Sequence, residues 1–583
     1  MDSPTKIFTL GAKWWFAIIS LLILAWYSAI IGKLHSIQMK REPVPLGIKT
    51  TKTMVLNATR GDIRDRNGNS LAMSYAGWEL FVDGANIASN QAGAVFTELA
   101  RLNAFDVERI HSAVTTEGRY NVFGYTADRE IIDSIVKNPV FKSWENGERN
   151  IGLKTVPVRK YPLATQCCHI IGLADYSDNG PIGAEKQFNE RLTGVNGSVT
   201  YKVDAHSEPI LEKSVERTEA VNGENVYLTI DRKVQDAVET ELDKYMELTD
   251  AERGVVIVQN PKTGEILAMA SRPNYDLGRY GASPRANKRN IAVSDQYEPG
   301  SIFKTLTFAA VVDAGLMTTG TLINVANVPF AGKTISDHKG MPDWITLTDA
   351  MRFSSNRAAA RAAIALGSKK YEEYLRAFGI GQNTGSGIHN EISGFDKWFW
   401  TEMELTRRSF GQGITVTALQ MTAAFSAIAN GGVLLRPTIL SHIKNQANET
   451  VYKHTPEAGV RVVSEEAARD TTFMLRTVLE SSGTGHRGRI PGYDVAGKTG
   501  TAQIAGVGGY NNEDYVASFT GFFPASDPQV VILVSLVKPR DKVVDGKLMT
   551  YHLGGSSAAP LFSDIGRKLA GIMQIPQDYP TDL

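Results

Sequence analysis

The sequence predicts an α+β protein: a single N-terminal transmembrane helix, an elongated domain of mixed helices and strands, and a C-terminal antiparallel sheet covered by helices. Three observations predict this class. An uncharged apolar stretch lies near the N-terminus, strand patterns lie at both ends of the C-terminal half, and helical patterns fill the interval between them. Strands at both ends of a region, with helices between, favour a sheet that the helices cover.

Length and composition limit the possibilities further. A chain of 583 residues is too long for one hydrophobic core, so two or three domains are expected. Lys and Arg together number 62, as do Asp and Glu, so no net charge points to nucleic acid. The only cysteines, Cys167 and Cys168, are adjacent, which excludes a disulfide framework and leaves too few ligands for zinc. We therefore expect two small packing residues and no metal site.

The apolar stretch from Trp14 to Gly32 carries no charge and is bounded by Lys13 and Lys33. A helix of this length crosses the hydrocarbon core of a membrane, about 30 Å thick. A buried core helix and a cleaved signal peptide are the alternatives, but the stretch is long for a signal peptide and no A-x-A-like site follows. The sequence thus predicts a tail at 1–13, an anchor at 14–32 and a juxtamembrane linker at 33–56.

Local signals place the other elements in order. Asn67-Gly68 predicts a hairpin turn, and a strand at 226–231 leads into a helix through Asp231 as N-cap. A Pro-Lys-Thr-Gly turn predicts a buried hairpin between 254–258 and 265–270. The last strands are expected at 515–522 and 530–537, and a final helix opens within 555–562.

One stretch carries candidate chemistry: Glu298-Pro299-Gly300-Ser301-Ile302-Phe303-Lys304, followed by an apolar helical run. Pro-Gly predicts a turn, so Ser301 lies near a helix N-terminus and shares a helix face with Lys304. A serine hydroxyl needs a base to act as nucleophile, and a lysine is a base only when burial or a second cation lowers its pKa. Alone, the pattern favours the ordinary interpretation, an N-capping serine and an exposed lysine on a helix, because a lone S-x-x-K is common by chance.

Two later stretches change that interpretation. Ser354-Ser355-Asn356 gives an S-x-N, and Lys498-Thr499-Gly500-Thr501 gives a K-T-G-T. The three motifs in this order resemble the penicillin-binding protein and serine β-lactamase superfamily. The resemblance implies a penicillin-binding/β-lactamase-like transpeptidase domain in which Ser301 is the nucleophile and Lys304 its base.

The same resemblance implies roles for the later motifs. Ser354 would relay a proton to the leaving amine, Asn356 would orient Lys304 and a substrate amide, and Lys498 would help to keep Lys304 neutral.

Substrate binding is implied for the K-T-G-T strand. The hydroxyls of Thr499 and Thr501, with Lys498, would hold a terminal carboxylate, and Gly500 would let the strand approach the substrate closely. The backbone N–H groups of Ser301 and Thr501 would form the oxyanion hole. No metal and no cofactor is required.

Several strings before the catalytic motifs resemble the non-catalytic pedestal of class B penicillin-binding proteins. They are Arg60–Gly68, Arg159–Pro162, His169–Gly172, Gly183–Phe188 and Gly194–Gly197. We expect the pedestal (a dimerisation-type domain) at 57–224, the transpeptidase domain at 225–575 and a tail at 576–583. No glycosyltransferase domain precedes the pedestal, an expectation that separates class B from class A.

Within class B, Ser409–Thr417 and Ser518–Pro524 resemble the septal, division-specific type, whereas Ala418 replaces a proline usual after that threonine. The resemblance implies a D,D-transpeptidase that cross-links peptidoglycan stem peptides, takes D-Ala-D-Ala as acyl donor and is the target of β-lactams. It also implies a septal glycan polymerase and other division proteins as partners. The expected location is the bacterial cytoplasmic (inner) membrane, crossed once, with the catalytic domain outside.

Other functions stay open at this point. A sporulation relative of the septal type is one. A D,D-carboxypeptidase or a β-lactamase is another, and a β-lactamase needs a carboxylate that activates water. The segment Glu402–Thr406 is weakly similar to such a glutamate loop, although surface charge explains it better. A β-lactam sensor would need several membrane spans, and an idle division scaffold would have lost a catalytic residue.

Overall fold

The computed structural model describes residues 8–39, 51–87, 91–141, 150–175, 180–203, 209–326, 334–337, 340–395, 397–398, 400–506, 509–544 and 546–579. Residues 1–7 of the predicted tail, 40–50 of the linker and 580–583 of the C-terminal tail lie outside the described residues.

The helices are α1 Phe8–Met39, α2 Ala92–Arg101, α3 Val107–Thr115, α4 Arg129–Lys137, α5 Cys168–Ile171, α6 Gly183–Gln187, α7 Asn189–Leu192, α8 Arg232–Thr249, α9 Ile291–Ser294, α10 Lys304–Asp313, α11 Leu347–Arg352, α12 Asn356–Leu366, α13 Ser368–Ala377, α14 Glu402–Arg408, α15 Ala418–Ala429, α16 Glu465–Thr477 and α17 Ala558–Ile572.

The strands are β1 Thr51–Leu56, β2 Ile63–Arg64, β3 Ser70–Val82, β4 Asn121–Thr126, β5 Ile151–Lys160, β6 Gly197–Val203, β7 Pro209–Thr218, β8 Asn225–Leu228, β9 Arg253–Gln259, β10 Ile266–Arg272, β11 Leu322–Asn324, β12 Trp344–Thr346, β13 Val433–Leu434, β14 Leu440–Lys444, β15 Thr450–Lys453, β16 Val460–Arg461, β17 Ala496–Gly506, β18 Gly509–Phe523, β19 Val530–Val537, β20 Lys542–Val544 and β21 Lys547–Met549.

The chain divides into two compact units. The first comprises Met1–Leu56 and Gly197–Glu219, and the second comprises Asn57–Asn196 and Ala220–Leu583. The segment 197–219, which the predicted limits place in the pedestal, therefore groups with the N-terminal part of the chain.

The first unit contains α1 and a three-stranded antiparallel sheet in the order β1-β6-β7. Within α1, Trp14–Met39 is long and apolar enough to cross a membrane. The helix extends beyond both predicted ends of the anchor at 14–32, because flanking charges mark where a helix would leave the membrane and not where it stops.

The N-terminal part of the second unit is built around the long strand β3. This strand pairs antiparallel with β2, β4 and β5, and β2 in turn pairs parallel with β8. Helices α2 to α4 cover this end of the sheet and bury a core of their own, formed by Leu80, Val82, Val95, Leu99, Ile110, Phe123, Ile132 and Phe141. The Asn67-Gly68 hairpin is confirmed between β2 and β3.

A buried ion cluster joins three of the strings that resemble pedestal motifs. Glu185 accepts hydrogen bonds from Arg60 Nε at 2.7 Å and from Arg159 Nε at 2.8 Å. The side chains of Arg60 and Glu185 are 0% exposed and that of Arg159 is 7% exposed. Tyr161 adds a hydrogen bond from its hydroxyl, at 3.2 Å. One buried carboxylate therefore pairs with two buried guanidinium groups.

Replacing Glu185 by alanine is expected to destabilise the protein by about 3–5 kcal/mol, because the buried guanidinium groups of Arg60 and Arg159 would both lose this carboxylate. Differential scanning calorimetry of Glu185→Ala should show a clear fall in melting temperature. The matched control is Lys262→Ala, whose partner is Asp527 and whose pair has side chains 43% and 70% exposed. An exposed pair contributes at most about 1 kcal/mol. Equal melting temperatures for the two variants would contradict this account of the cluster.

The C-terminal part of the second unit contains a five-stranded antiparallel sheet in the order β10-β9-β19-β18-β17. The predicted hairpin is confirmed as β9 and β10, and Asp231 caps α8 as expected. Alternate residues of β18 point to opposite faces of the sheet. Phe519 packs against Phe562 of α17 on one face, so its neighbour Ser518 points to the other. On that second face lies the turn that carries Ser301.

Candidate active site

The turn that presents Ser301 is a 3₁₀ turn, Gly300–Phe303, which runs directly into α10. Gly300 has φ +56°, a conformation that residues with a side chain seldom adopt. Its N–H donates to the carbonyl of Gly411 at 3.1 Å. From Lys304 to Val311 every residue of α10 is buried, so the helix is a rigid support in the core of the domain.

Lys304 is 0% exposed, and its amine has three oxygen neighbours. Nζ lies 3.0 Å from Ser301 Oγ, 3.0 Å from Ser354 Oγ and 2.5 Å from the Ser354 carbonyl oxygen. A neutral amine has two N–H donors and one lone pair. It can donate to both Ser354 oxygens and still accept the proton of the Ser301 hydroxyl. Burial first, and the charge of Lys498 second, hold the pKa of Lys304 well below its ordinary value.

Ser354 occupies the space between the two lysines. Its Oγ lies 3.0 Å from Lys304 Nζ and 3.0 Å from Lys498 Nζ. With both lone pairs accepting from the amines, the hydroxyl proton of Ser354 is left to donate elsewhere. The residue has φ +62°, which is uncommon for serine and costs about 1–3 kcal/mol. Surrounding contacts must therefore hold it there.

Lys498 reaches Ser354 from the edge strand β17. It is 0% exposed, and burial lowers its pKa to about 7. Besides Ser354, its Nζ lies 3.3 Å from the carbonyl of Thr499. The predicted nucleophile, its lysine and the serine and lysine of the later motifs thus form one hydrogen-bonded chain.

The other residues of the K-T-G-T motif line the same edge strand. The Oγ1 of Thr501 accepts from the backbone N–H of Gly554 at 3.0 Å. A side chain at Gly500 would meet Ser518 Oγ at 2.2 Å and the Pro299 carbonyl at 3.0 Å. The missing side chain therefore lets the nucleophile turn pack directly on β17. A Cβ on Gly300 would similarly lie 3.3 Å from the Thr501 carbonyl.

Asn356 is placed differently from the sequence interpretation. Its side-chain amide donates to the Ser336 carbonyl at 2.9 Å, and not to Lys304. It opens α12, whose N-cap is Ser355. In this structure Asn356 supports the loop that carries Ser354, and it has no hydrogen bond to the other site residues in the part of the chain that is described.

Sequence reasoning missed Asp337, which holds the Ser354 loop from outside. Its carboxylate accepts from Ser355 Oγ at 2.5 Å, from Asn356 N at 2.6 Å and from Arg357 N at 3.3 Å. A carboxylate at a helix N-terminus is electrostatically favoured. It fixes the start of α12 and, with it, the left-handed backbone of Ser354. No motif marks Asp337, because it comes near only through the tertiary fold.

Thr484 was also missed. It accepts a hydrogen bond from Thr499 Oγ1 at 2.9 Å, oxygen to oxygen, and so sets the position of that hydroxyl beside Lys498. A Ser-Ser-Gly-Thr-Gly run is a loop signal only, and nothing in its spacing connects it to β17.

The glutamates of the Glu402–Thr406 segment serve a helix terminus. Glu404 forms a capping box with Thr401 at the start of α14. The backbone hydrogen bond from Thr401 is the largest cause that lowers the pKa of Glu404. A carboxylate committed to a cap in this way is not available to activate water.

The geometry supports acyl transfer through a serine ester. A neutral buried lysine contacts the nucleophile, a second serine connects it to a second lysine, and an edge strand offers backbone groups beside them. Such an arrangement can remove a proton from Ser301 and deliver one to a leaving group.

Two family models match the chain. The model described as the penicillin-binding protein transpeptidase domain matches residues 254–567, and the model described as the penicillin-binding protein dimerisation domain matches residues 55–228.

Known proteins resemble the chain over most of its length. Stage V sporulation protein D of Bacillus subtilis is 30% identical, over 89% of this chain and 79% of that protein. The peptidoglycan D,D-transpeptidase FtsI of Escherichia coli is 26% identical, over 98% of this chain and 93% of that protein. The crystal structure of penicillin-binding protein 3 from Mycobacterium tuberculosis in complex with aztreonam superposes with a TM-score of 0.68, at 26% identity, over 90% of this chain and 99% of that one.

Proposed function

The chain belongs to the class B penicillin-binding proteins, and we propose that it is a serine D,D-transpeptidase that cross-links peptidoglycan stem peptides at the division septum. The observation that carries the proposal is the chain Ser301–Lys304–Ser354–Lys498, whose successive side-chain atoms lie 3.0 Å apart. The similarity to FtsI supports the reaction.

Acylation follows from these contacts. The Oγ of Ser301 attacks the carbonyl carbon of the penultimate D-Ala, and its proton passes to the neutral amine of Lys304. The tetrahedral intermediate collapses when the peptide C–N bond breaks, and Ser354 gives its hydroxyl proton to the departing amine of the terminal D-Ala. Ser354 regains a proton from Lys304. The result is an ester on Ser301 and free D-Ala.

Deacylation reverses these roles. An amine from a neighbouring stem peptide attacks the ester carbonyl, its proton passes through Ser354 and Lys304, and Ser301 leaves with a proton. The new amide bond is the cross-link, and the enzyme returns to its starting protonation state.

The edge strand β17 would bind the donor. Lys498 and the hydroxyls of Thr499 and Thr501 would hold the terminal carboxylate, and the N–H groups of Ser301 and Thr501 would stabilise the oxyanion. Packing of the Ser301 turn directly on Gly500 supports this assignment, since the two segments that carry these N–H groups are in contact. We assign Asn356 to the support of the Ser354 loop.

A β-lactam would enter the same site, because its ring carbonyl mimics the scissile amide. The solved complex of penicillin-binding protein 3 with aztreonam supports this proposal. Ring opening replaces the departure of D-Ala, so the leaving amine stays attached after Ser301 is acylated.

Location and partners follow from the anchor and the family. The apolar helix Trp14–Met39 supports a single-pass protein. We place the catalytic domain outside the cytoplasmic (inner) membrane, with the pedestal at 57–224 and the transpeptidase domain at 225–575. The anchor and pedestal would bind the septal glycan polymerase and other division proteins. The Ser409–Thr417 and Ser518–Pro524 strings support the septal assignment.

The competing function is a β-lactamase-type hydrolase, and the lifetime of the acyl-enzyme separates the two. We expect the penicillin adduct to persist for hours, because Glu404 is committed to the cap of α14. Intact mass spectrometry at intervals after removal of free penicillin measures this lifetime. Return of the unmodified mass within minutes would move the protein to the hydrolase class.

A further inference from the structure

A cavity of about 260 Å³ lies beside the turn that carries Ser301. Three chain segments that line this cavity also help to build the candidate active site. Tyr297 and Glu298 directly precede the nucleophile turn, Thr415 and Ala418 follow the Gly411 contact, and Ile504 continues β17. Of the described residues that line it, none belongs to the hydrogen-bonded catalytic set.

The walls are mostly apolar, and their apolar side chains are buried or half-buried. Their apolar members are Val255, Ile291, Ala418, Ile504, Val516 and Val537. An apolar cavity of about 150 Å³ is known to admit a benzene ring. This larger cavity therefore has room for one ring or a branched alkyl group together with a small substituent.

Two hydrogen-bond donors in the walls are unsatisfied. The Tyr297 hydroxyl oxygen and Arg253 Nε are buried atoms without a hydrogen-bond partner in the described part of the chain. Burial raises the pKa of Tyr297, so its phenol stays protonated. A ligand that satisfies these donors must carry an acceptor, and the free energy lost by leaving a buried donor unpaired favours such a ligand.

The charges at the cavity favour a neutral acceptor over an anion. Asp295 pairs with Arg253 Nη1 at 2.7 Å and also with Arg289, and Glu298 accepts from the Gly413 N–H at 3.0 Å. Asp295 and Glu298 thus offset the two guanidinium groups, so a carboxylate ligand would find no excess positive charge at the cavity and would be buried at a cost. A carbonyl group can accept from Tyr297 without that cost.

We propose that this cavity binds an uncharged molecule with one aromatic or branched aliphatic group and one carbonyl acceptor, and that occupancy changes the rate of acylation at Ser301. The effect on acylation rests on the proposed function. Tyr297 exchanges two backbone hydrogen bonds with Val416, each 3.0 Å, and Gly300 donates to Gly411 at 3.1 Å. A molecule bound between Ile504 and Tyr297 therefore contacts the segments that position the nucleophile.

The probe for binding is 4-fluoroacetanilide. Its ¹⁹F NMR signal is followed during titration with the full chain, solubilised in detergent and carrying Ser301→Ala. Tyr297→Phe keeps the shape and removes the donor, so binding should weaken about threefold to tenfold. Ala418→Leu fills the cavity from a side chain that is 2% exposed, and saturable binding should be lost. The anion 4-fluorobenzoate should bind at least about tenfold more weakly than the anilide.

Melting temperatures report the folding of each variant, and Tyr297→Phe stays decisive if the leucine variant does not fold. No saturable binding to the parent chain, or equal binding in both variants, would overturn the site. Acylation by a fluorescent penicillin is measured separately in the chain with Ser301. The acylation rate should change with anilide concentration until the effect saturates. Excess penicillin should not reverse this effect.

Competition with penicillin, or a constant rate despite binding, would overturn the coupling. Failure of binding with acylation intact removes only this inference, whereas failure of acylation removes the proposed function.

Discussion

Replacing Lys304 by arginine is expected to slow acylation of Ser301 by about 10²–10⁴-fold, nearly as much as replacing it by alanine. The reason is the protonation state of the base. Burial and the neighbouring Lys498 lower the pKa of Lys304, so its neutral form is populated at a lower pH than that of an ordinary lysine. A guanidinium, with a pKa above about 12, stays charged and cannot accept the Ser301 proton.

The measurement is the acylation rate constant with a fluorescent penicillin for the parent chain, Lys304→Arg and Lys304→Ala, with melting temperatures to confirm folding. Lys262→Arg is the matched control, because Lys262 is exposed and pairs with Asp527. In the parent chain the rate should rise with pH as Lys304 loses its proton and then level off. The part of this rise that comes from Lys304 should be absent from both Lys304 variants, in which the titration of Lys498, with a pKa of about 7, remains. A folded arginine variant within a few-fold of the parent would show that Lys304 is not the base.

Local sequence signals, such as N-caps, turns and short apolar runs, predicted many of the helices and strands. Asp231 was predicted as an N-cap because a polar residue between a strand and a periodic helix has few other roles, and the structure confirms it. The hairpin around the Pro-Lys-Thr-Gly turn and the strand Val530–Val537 were found for the same reason, since both are short apolar runs with clear turn signals.

The contacts between distant segments could not be predicted in this way. Asp337 lies 18 residues before Ser355 and contacts it only because α12 begins beside the 334–337 segment. Thr484 meets Thr499 across an interval of 15 residues for a similar reason. Both depend on how elements pack, which no spacing rule encodes.

For Gly500, the sequence predicted only part of the reason why a glycine is needed. Gly500 was expected to clear space for a substrate. In the structure its missing side chain clears space for the Pro299 carbonyl and for Ser518, so the motif holds two parts of the protein together. Alternation in the strand predicts which face Gly500 presents, but not what packs there.

Ser301 is expected to become covalently acylated by penicillin, and intact mass spectrometry after incubation with the antibiotic detects the product. The Oγ of Ser301 lies 3.0 Å from a buried amine whose pKa is lowered. We therefore expect one adduct, of the mass of penicillin, on a peptide that contains Ser301. Ser301→Ala should abolish it, and Ser283→Ala, outside the site, should not change it. An adduct that persists in folded Ser301→Ala would contradict the account.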